Sequence, residues 1–156
     1  MVSIDYDLDK YKVDGLTPSK TISPKTPESL ADLLRIASEN SWKVIPFGFG
    51  NMMNIGSIPN GYDIAIDLSE MPKYIQHNSE DLTVTCSSNT SFGELNLKLK
   101  EKQQWLPFDS PLINHQSVGG ILACNLPGSL NACYGYIRDY VIGMKTATPF
   151  GQVTKS

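Results

Sequence analysis

Residues 46–56 read Pro-Phe-Gly-Phe-Gly-Asn-Met-Met-Asn-Ile-Gly and follow directly on the short apolar pair Val44-Ile45. Glycine reaches positive φ and lets another group approach the main chain closely. Successive amide N–H groups in such a turn form a concave set of donors that suits a phosphate. A strand ending in this loop is a candidate cofactor cradle, and equally a plain tight turn. The same pair of readings attaches to a second cluster, Ser117-Val118-Gly119-Gly120. Ser117 can cap a short helix running through Cys124, and paired glycines in its first turn would expose helix-start N–H groups to an anion. The alternative there is a tightly packed helix start with no ligand. A Walker-type loop is excluded, because no Gly-Lys-Ser/Thr follows the glycines, and Met53 spoils the Gly-x-Gly-x-x-Gly fingerprint.

Around these loops the residues spell helix and strand in turn. Thr26 is a candidate N-cap, Pro27 suits the first helical position and Glu28 complements the helix dipole. Leu30, Leu33, Leu34 and Ala37 recur at helical spacing, and Asn40 ends the helix. Lys43–Pro46 and Asp63–Leu68 read as strands, the second with Ile64, Ile66 and Leu68 on one face. Met71–Ser79 reads as a polar connection, and Leu82–Ser87 as a strand with Leu82, Val84 and Cys86 on one side. Ser91-Phe92-Gly93-Glu94 is a capping box, and Phe92, Leu95 and Leu99 form the stripe of the helix it opens. Trp105–Phe108 is a short extended piece, and Trp42 and Trp105 are expected in the core. Tyr140–Thr148 and Gln152–Lys155 form a hairpin about Pro149-Phe150-Gly151. Residues 1–22 are expected to form an N-terminal arm, the first sixteen as an arm or short helix packed on the surface.

Composition narrows the function. A net charge of -3, with the charges dispersed, lacks the basic footprint of a nucleic-acid binder. No run has the apolar length of a transmembrane segment, and the N-terminus lacks the layout of a secretory signal. Cys86, Cys124 and Cys133 are odd in number and without CxxC spacing, which argues against a disulfide framework or a zinc site. Free thiols fit a reducing compartment, so a cytoplasmic location is expected.

The order of the pieces carries more than any one of them. Pro-x-Gly-x-Gly comes after helix and strand, then Ile-Asp-Leu-Ser-x-Met at Ile66–Met71, then Ser-Val-Gly-Gly. Tyr134-Gly135-Tyr136-Ile137-Arg138-Asp139-Tyr140-Val141 and a Gly-x-Val turn at Gly151–Val153 complete the series. From about Ser23 onward this resembles the FAD-binding domain of the vanillyl-alcohol oxidase and p-cresol methylhydroxylase (PCMH-type) flavoprotein family. Within it, the chain is most similar to the FAD-binding subunit of glycolate oxidase and its D-lactate dehydrogenase relatives. The resemblance implies an α+β, PCMH-type fold: a small parallel-strand α/β subdomain, then the start of a second, mostly antiparallel α+β subdomain. Residues 23–156 would be the N-terminal portion of that domain, truncated and without the substrate region, because family members continue past the Gly-x-Val turn.

The resemblance further implies that Phe47, Gly48, Phe49, Gly50 and Asn51 surround the FAD pyrophosphate. Pro111, Ser117, Gly119 and Gly120 would line the flavin side, with Cys124, Asn125 and Gly128 close by. Arg138 and Asp139 match a family pair read as structural. The family loop often reads Arg-Gly-Gly-Gly-Thr; here Phe47 replaces the arginine, Phe49 the middle glycine and Asn51 the threonine. Some relatives tether flavin through a histidine in that loop, and none lies there, so noncovalent FAD is expected. The implied activity is oxidation of a small 2-hydroxy acid by hydride transfer to flavin, with FAD and possible subunits of a heteromeric oxidase as partners. The catalytic residues stay unknown, since the substrate region is expected outside these residues; His115, read first as a surface or structural residue, lies near the presumed flavin and is the one histidine to test. One alternative is a noncatalytic FAD-fold module acting in assembly. A second is a flavin reductase like the enolpyruvyl sugar reductases.

Overall fold

A computed structural model describes residues 7–156. It is a mixed α/β structure that divides into two compact units. The first unit comprises the described residues through Pro72 together with Gly143–Ser156; the second is Lys73–Ile142.

The first unit is built on a parallel sheet in the order β1-β3-β2, with β1 Lys20–Ile22, β2 Val44–Phe47 and β3 Ile64–Asp67. β3 is the middle strand, and all four of its residues are buried. A parallel strand covered on both faces needs an uninterrupted apolar run, which Ile64-Ala65-Ile66 provides. Helix α1, Pro27–Glu39, connects β1 to β2. Thr26 caps it by accepting from the Ser29 amide at 3.1 Å, while the Ser29 hydroxyl accepts from the Thr26 amide at 3.1 Å. Asn40 ends it, as the sequence indicates. The core beside the sheet is aromatic: Tyr11 meets Phe47 edge-on at 5.2 Å, and Phe47 stacks on Tyr62 at 6.3 Å. A hairpin of β6, Lys145–Ala147, and β7, Val153–Lys155, packs on α1.

The second unit pairs β4, Ile75–Asn78, with β5, Thr83–Cys86, in antiparallel register from Ile75↔Cys86 to Asn78↔Thr83. Against this ribbon pack α2, Phe92–Lys100, and α3, Val118–Cys124. Phe92, Leu95 and Leu99 of α2 are buried with Ile121 of α3 and Ile137. A short α4, Asn131–Tyr134, follows.

Several expectations change. β4 occupies what reads as a polar connection, because a strand of Ile-Gln-His-Asn buries only alternate residues in part and shows no apolar pattern. Leu82 is a turn residue with φ 55° and is 76% exposed, so the β5 face starts at Val84. Residues 137–140 form a 3-10 turn, and the hairpin strand begins only at Lys145. Trp105 is 55% exposed and meets Tyr134 edge-on, while Trp42 is half-buried under the Lys20 ammonium. Of the segment read as an arm, residues 1–6 lie outside the described residues. The rest holds a 3-10 turn, Leu8–Tyr11, the buried Tyr11 and Val13, and β1.

Candidate functional site

The two glycine segments belong to different units, the first to the parallel-sheet unit and the second to Lys73–Ile142. The first loop leaves the C-terminal end of β2, where Phe47 is in register with Asp67 of β3. Ligands of open parallel sheets gather at such strand ends. The Phe47 carbonyl accepts from the Leu68 amide at 3.0 Å, and its ring is only 4% exposed within the aromatic core. Its side chain is therefore a packing element, and its main chain is what it brings to the loop. Gly50 has φ 73°, and a Cβ there would meet only Phe47 Cδ1 at 3.8 Å. Glycine is required at 50 by conformation and not by crowding. Among the described residues, the amides of Gly48 and Gly50 have no hydrogen-bond partner. Phe49 is 39% exposed and Asn51 is exposed. Gly50, Asn51, Met53 and Asn54 form one side of an open cleft of about 330 Å³ whose other side is Lys12, Val13 and Asp14.

Asp67, at the end of β3, is a buried carboxylate that the sequence reading did not single out. It accepts from the Tyr11 hydroxyl at 2.6 Å and the Ser69 amide at 2.8 Å, with the Lys10 ammonium at 3.4 Å. Burial alone would raise its pKa. The Tyr11 hydroxyl, the Ser69 amide and Lys10 outweigh burial and hold it below the usual carboxylate value. Tyr11 lies 56 residues away, so no local pattern marks the pair.

The second segment resolves differently. Ser117 caps α3, accepting from the Gly120 amide at 3.1 Å. The Val118 amide donates to the Thr90 carbonyl at 2.9 Å, and the Gly119 amide to the Ser88 carbonyl at 2.8 Å. The first-turn donors expected to be exposed are thus satisfied within the chain. A Cβ at Gly119 would lie 3.0 Å from Ser88 Cβ and 3.1 Å from its carbonyl oxygen, so this glycine admits a neighbouring strand of main chain. Asn125 closes α3 with φ 44°, Cys124 is half-buried, and Gly128 faces the Asp109 carboxylate. The Ser129 hydroxyl and the Leu130 amide both donate to Asp109, at 2.5 and 3.1 Å, and hold its pKa low. The Pro111 carbonyl accepts from the Gln116 amide group at 2.5 Å. Next to it, the Ser110 hydroxyl is buried with no hydrogen-bond partner, a residue the sequence reading passed over. His77 bonds Gln104 at 2.7 Å, and His115 sits exposed in a 3-10 turn.

A flavin dinucleotide needs amide donors for its phosphates and polar groups along its ring. In the first unit the unpartnered Gly48 and Gly50 amides, the latter on the open cleft, suit phosphate oxygens; in the second unit, taken by itself, the Ser110 hydroxyl is buried and unanswered. Among the described residues, no helix is long and apolar enough to cross a membrane.

Known proteins with related sequences point the same way. The chain is 28% identical over 139 residues to the mitochondrial cytochrome-type D-lactate dehydrogenase of Arabidopsis thaliana, covering 89% of this chain and 24% of that protein. It is 24% identical over 139 residues to the glycolate oxidase subunit GlcD of Bacillus subtilis, covering 89% and 30%. Among solved structures, Phl p 4, a grass pollen allergen with glucose dehydrogenase activity, superimposes with a TM-score of 0.76 at 19% identity, over 95% of this chain and 31% of the other. The chain thus spans about a quarter to a third of the length of these relatives. The profile of the family described as FAD binding domain matches residues 18–156, and the chain belongs to that family, with FAD as its cofactor.

Proposed function

We propose that this chain is the FAD-binding portion of an oxidoreductase of the glycolate oxidase and D-lactate dehydrogenase type, acting on a small 2-hydroxy acid. The supporting observation is the similarity, over most of the chain, to relatives named for oxidising such acids. The FAD is held noncovalently, since the 47–56 loop contains no histidine. Bound FAD supplies the acceptor for the electron pair released from the substrate's α-carbon. The chain's own residues bind and orient it. The Gly48 and Gly50 amides would hold the pyrophosphate, in a loop completed by Phe47, Phe49 and Asn51. In the other unit, Pro111, Ser117, Gly119, Gly120, Cys124, Asn125 and Gly128 would shape the flavin side, and the buried Ser110 hydroxyl adds an unanswered polar group. A cytoplasmic location accords with three cysteines free of disulfides. Because one relative is itself named a subunit, partner subunits belong to this reading.

A second reading, a noncatalytic module kept for assembly, draws on the amides of Val118, Gly119 and Gly120, all satisfied without a ligand. One experiment separates the two. The purified chain is incubated with FAD, freed of unbound flavin and scanned. A retained flavin spectrum that bleaches anaerobically with D-lactate or glycolate supports the oxidoreductase. Protein that stays colourless after added FAD overturns it in favour of the module.

A further inference from the structure

We propose that Lys12 supplies the positive charge facing the cofactor's pyrophosphate at the first glycine loop, an inference that rests on the FAD-binding reading of that loop. Residues 46–56 contain no charged side chain, so any cation at this cleft must come from another segment. Lys12 is that group: it lines the cleft opposite Gly50, Asn51 and Asn54.

Its placement follows from packing. Tyr11 and Val13, on either side of it, are 2% and 6% exposed and join the aromatic core that also holds Phe47. The backbone at Lys12 is extended, with φ -69° and ψ 131°, so its side chain points away from the core its neighbours enter. The next residues fold into a tight turn, Val13 and Leu16 exchanging both amide bonds at 2.9 and 2.8 Å, which fixes the segment. The Phe47 ring that removes charge from the loop thus anchors, through its contact with Tyr11, the segment that brings charge back.

Lys12 is also uncommitted. Of the other cations in residues 7–72, Lys10 pairs with Asp67, Lys20 sits over Trp42 and Lys25 pairs with Glu70. Arg35 pairs with Glu39, and Lys43 donates to the Asn60 carbonyl. Lys12 has no such partner among the described residues. Asp14, on the same wall of the cleft, is an anion that opposes phosphate and so lowers the net attraction.

The test is titration of the intact chain and its variants with FAD, followed by flavin fluorescence, with inorganic pyrophosphate as a second probe. Lys12→Gln is expected to bind FAD about ten-fold more weakly, the scale of one lost charge-assisted bond. Its affinity should fall less steeply with added salt than the wild type's, because one screened attraction is gone. Lys12→Arg should keep the affinity and Asp14→Asn should increase it. Thermal melting serves as the folding control for an exposed side chain. Equal FAD affinity and equal salt dependence for Lys12→Gln and wild type overturn the role of Lys12 and leave the FAD reading standing. Pyrophosphate binding that depends on Lys12, in a chain that takes up no FAD, keeps the cation site and overturns the FAD reading. Binding of neither probe overturns both.

Discussion

Two phenols in the aromatic core of the first unit carry opposite energetics. The Tyr11 hydroxyl donates to the buried Asp67 carboxylate at 2.6 Å. The Tyr62 hydroxyl is buried beside it with no partner, and burial pushes its pKa up. A hydrogen bond to a charged group contributes about 1.5–3 kcal/mol, whereas an unanswered buried polar group costs about 1–3 kcal/mol. Tyr11→Phe should therefore destabilise the chain by roughly 2 kcal/mol in urea unfolding at neutral pH. Tyr62→Phe, which keeps the ring stacked on Phe47, should be neutral or stabilising by about 1 kcal/mol. A destabilising Tyr62→Phe would show that its hydroxyl has a use the structure does not reveal. The Tyr11 effect has a pH signature. The Asp67 carboxyl is held below its ordinary value, so its stabilisation is complete above the unfolded-state pKa and is lost as pH falls through the folded one. The gap between Tyr11→Phe and wild type should be widest at neutral pH and narrow in acid; a gap that widens in acid would contradict the ionised Asp67. Neither phenol's role was legible in the sequence, because both depend on what lies across the fold.

Elements that begin with a local chemical signal were legible, and those that depend on a distant partner were not. α1, α2 and α3 start where Thr26, Ser91 and Ser117 announce caps, since a cap and the amide it satisfies lie within one turn. β1 has only three residues, and β4 is polar; each becomes a strand through pairing, β1 with β3 and β4 with β5. The same distinction explains the second glycine segment. The cap was readable, but the Ser88 and Thr90 carbonyls that take up its amides lie on the loop before α2. That loop ties two helix starts together. Ser91 and Ser117, the two N-caps, face each other across an antiparallel bridge, with the Phe92 amide donating to the Gln116 carbonyl at 2.9 Å. Ser91 also belongs to a reciprocal box, its hydroxyl accepting from the Glu94 amide at 3.1 Å while Glu94 accepts from the Ser91 amide at 2.9 Å. Ser91→Ala and Ser117→Ala should each cost about 1 kcal/mol in thermal or urea unfolding. Because loss of either cap loosens the bridge they share, the double variant should cost less than the sum, by about 0.5 kcal/mol or more. Strict additivity would show that the two helix starts are energetically separate.

At the scale of the whole chain, unit membership does not follow sequence order. The expected succession of a parallel piece and then an antiparallel piece holds through residue 142, after which Gly143–Ser156 returns to the first unit. The β6–β7 hairpin could be read from Pro149-Phe150-Gly151, but its address could not, because the surface it covers belongs to α1, far earlier in the chain. Gly151 marks the contact. It has φ 78°, and a Cβ there would lie 3.0 Å from Arg35 Cδ, so the turn presses directly on the helix. The second unit, by contrast, is one continuous segment with a hydrophobic cluster of its own around Phe92, Leu95 and Ile121. A chain ending at Ile142 should therefore lose stability in one unit only. Hydrogen exchange read by mass spectrometry should show faster exchange across α1, whose outer face loses its cover, while the amides of α2 and α3 keep their protection. Uniform loss of protection in both units would mean that they unfold together. Unchanged exchange in α1 would mean that the hairpin rests on the helix without stabilising it.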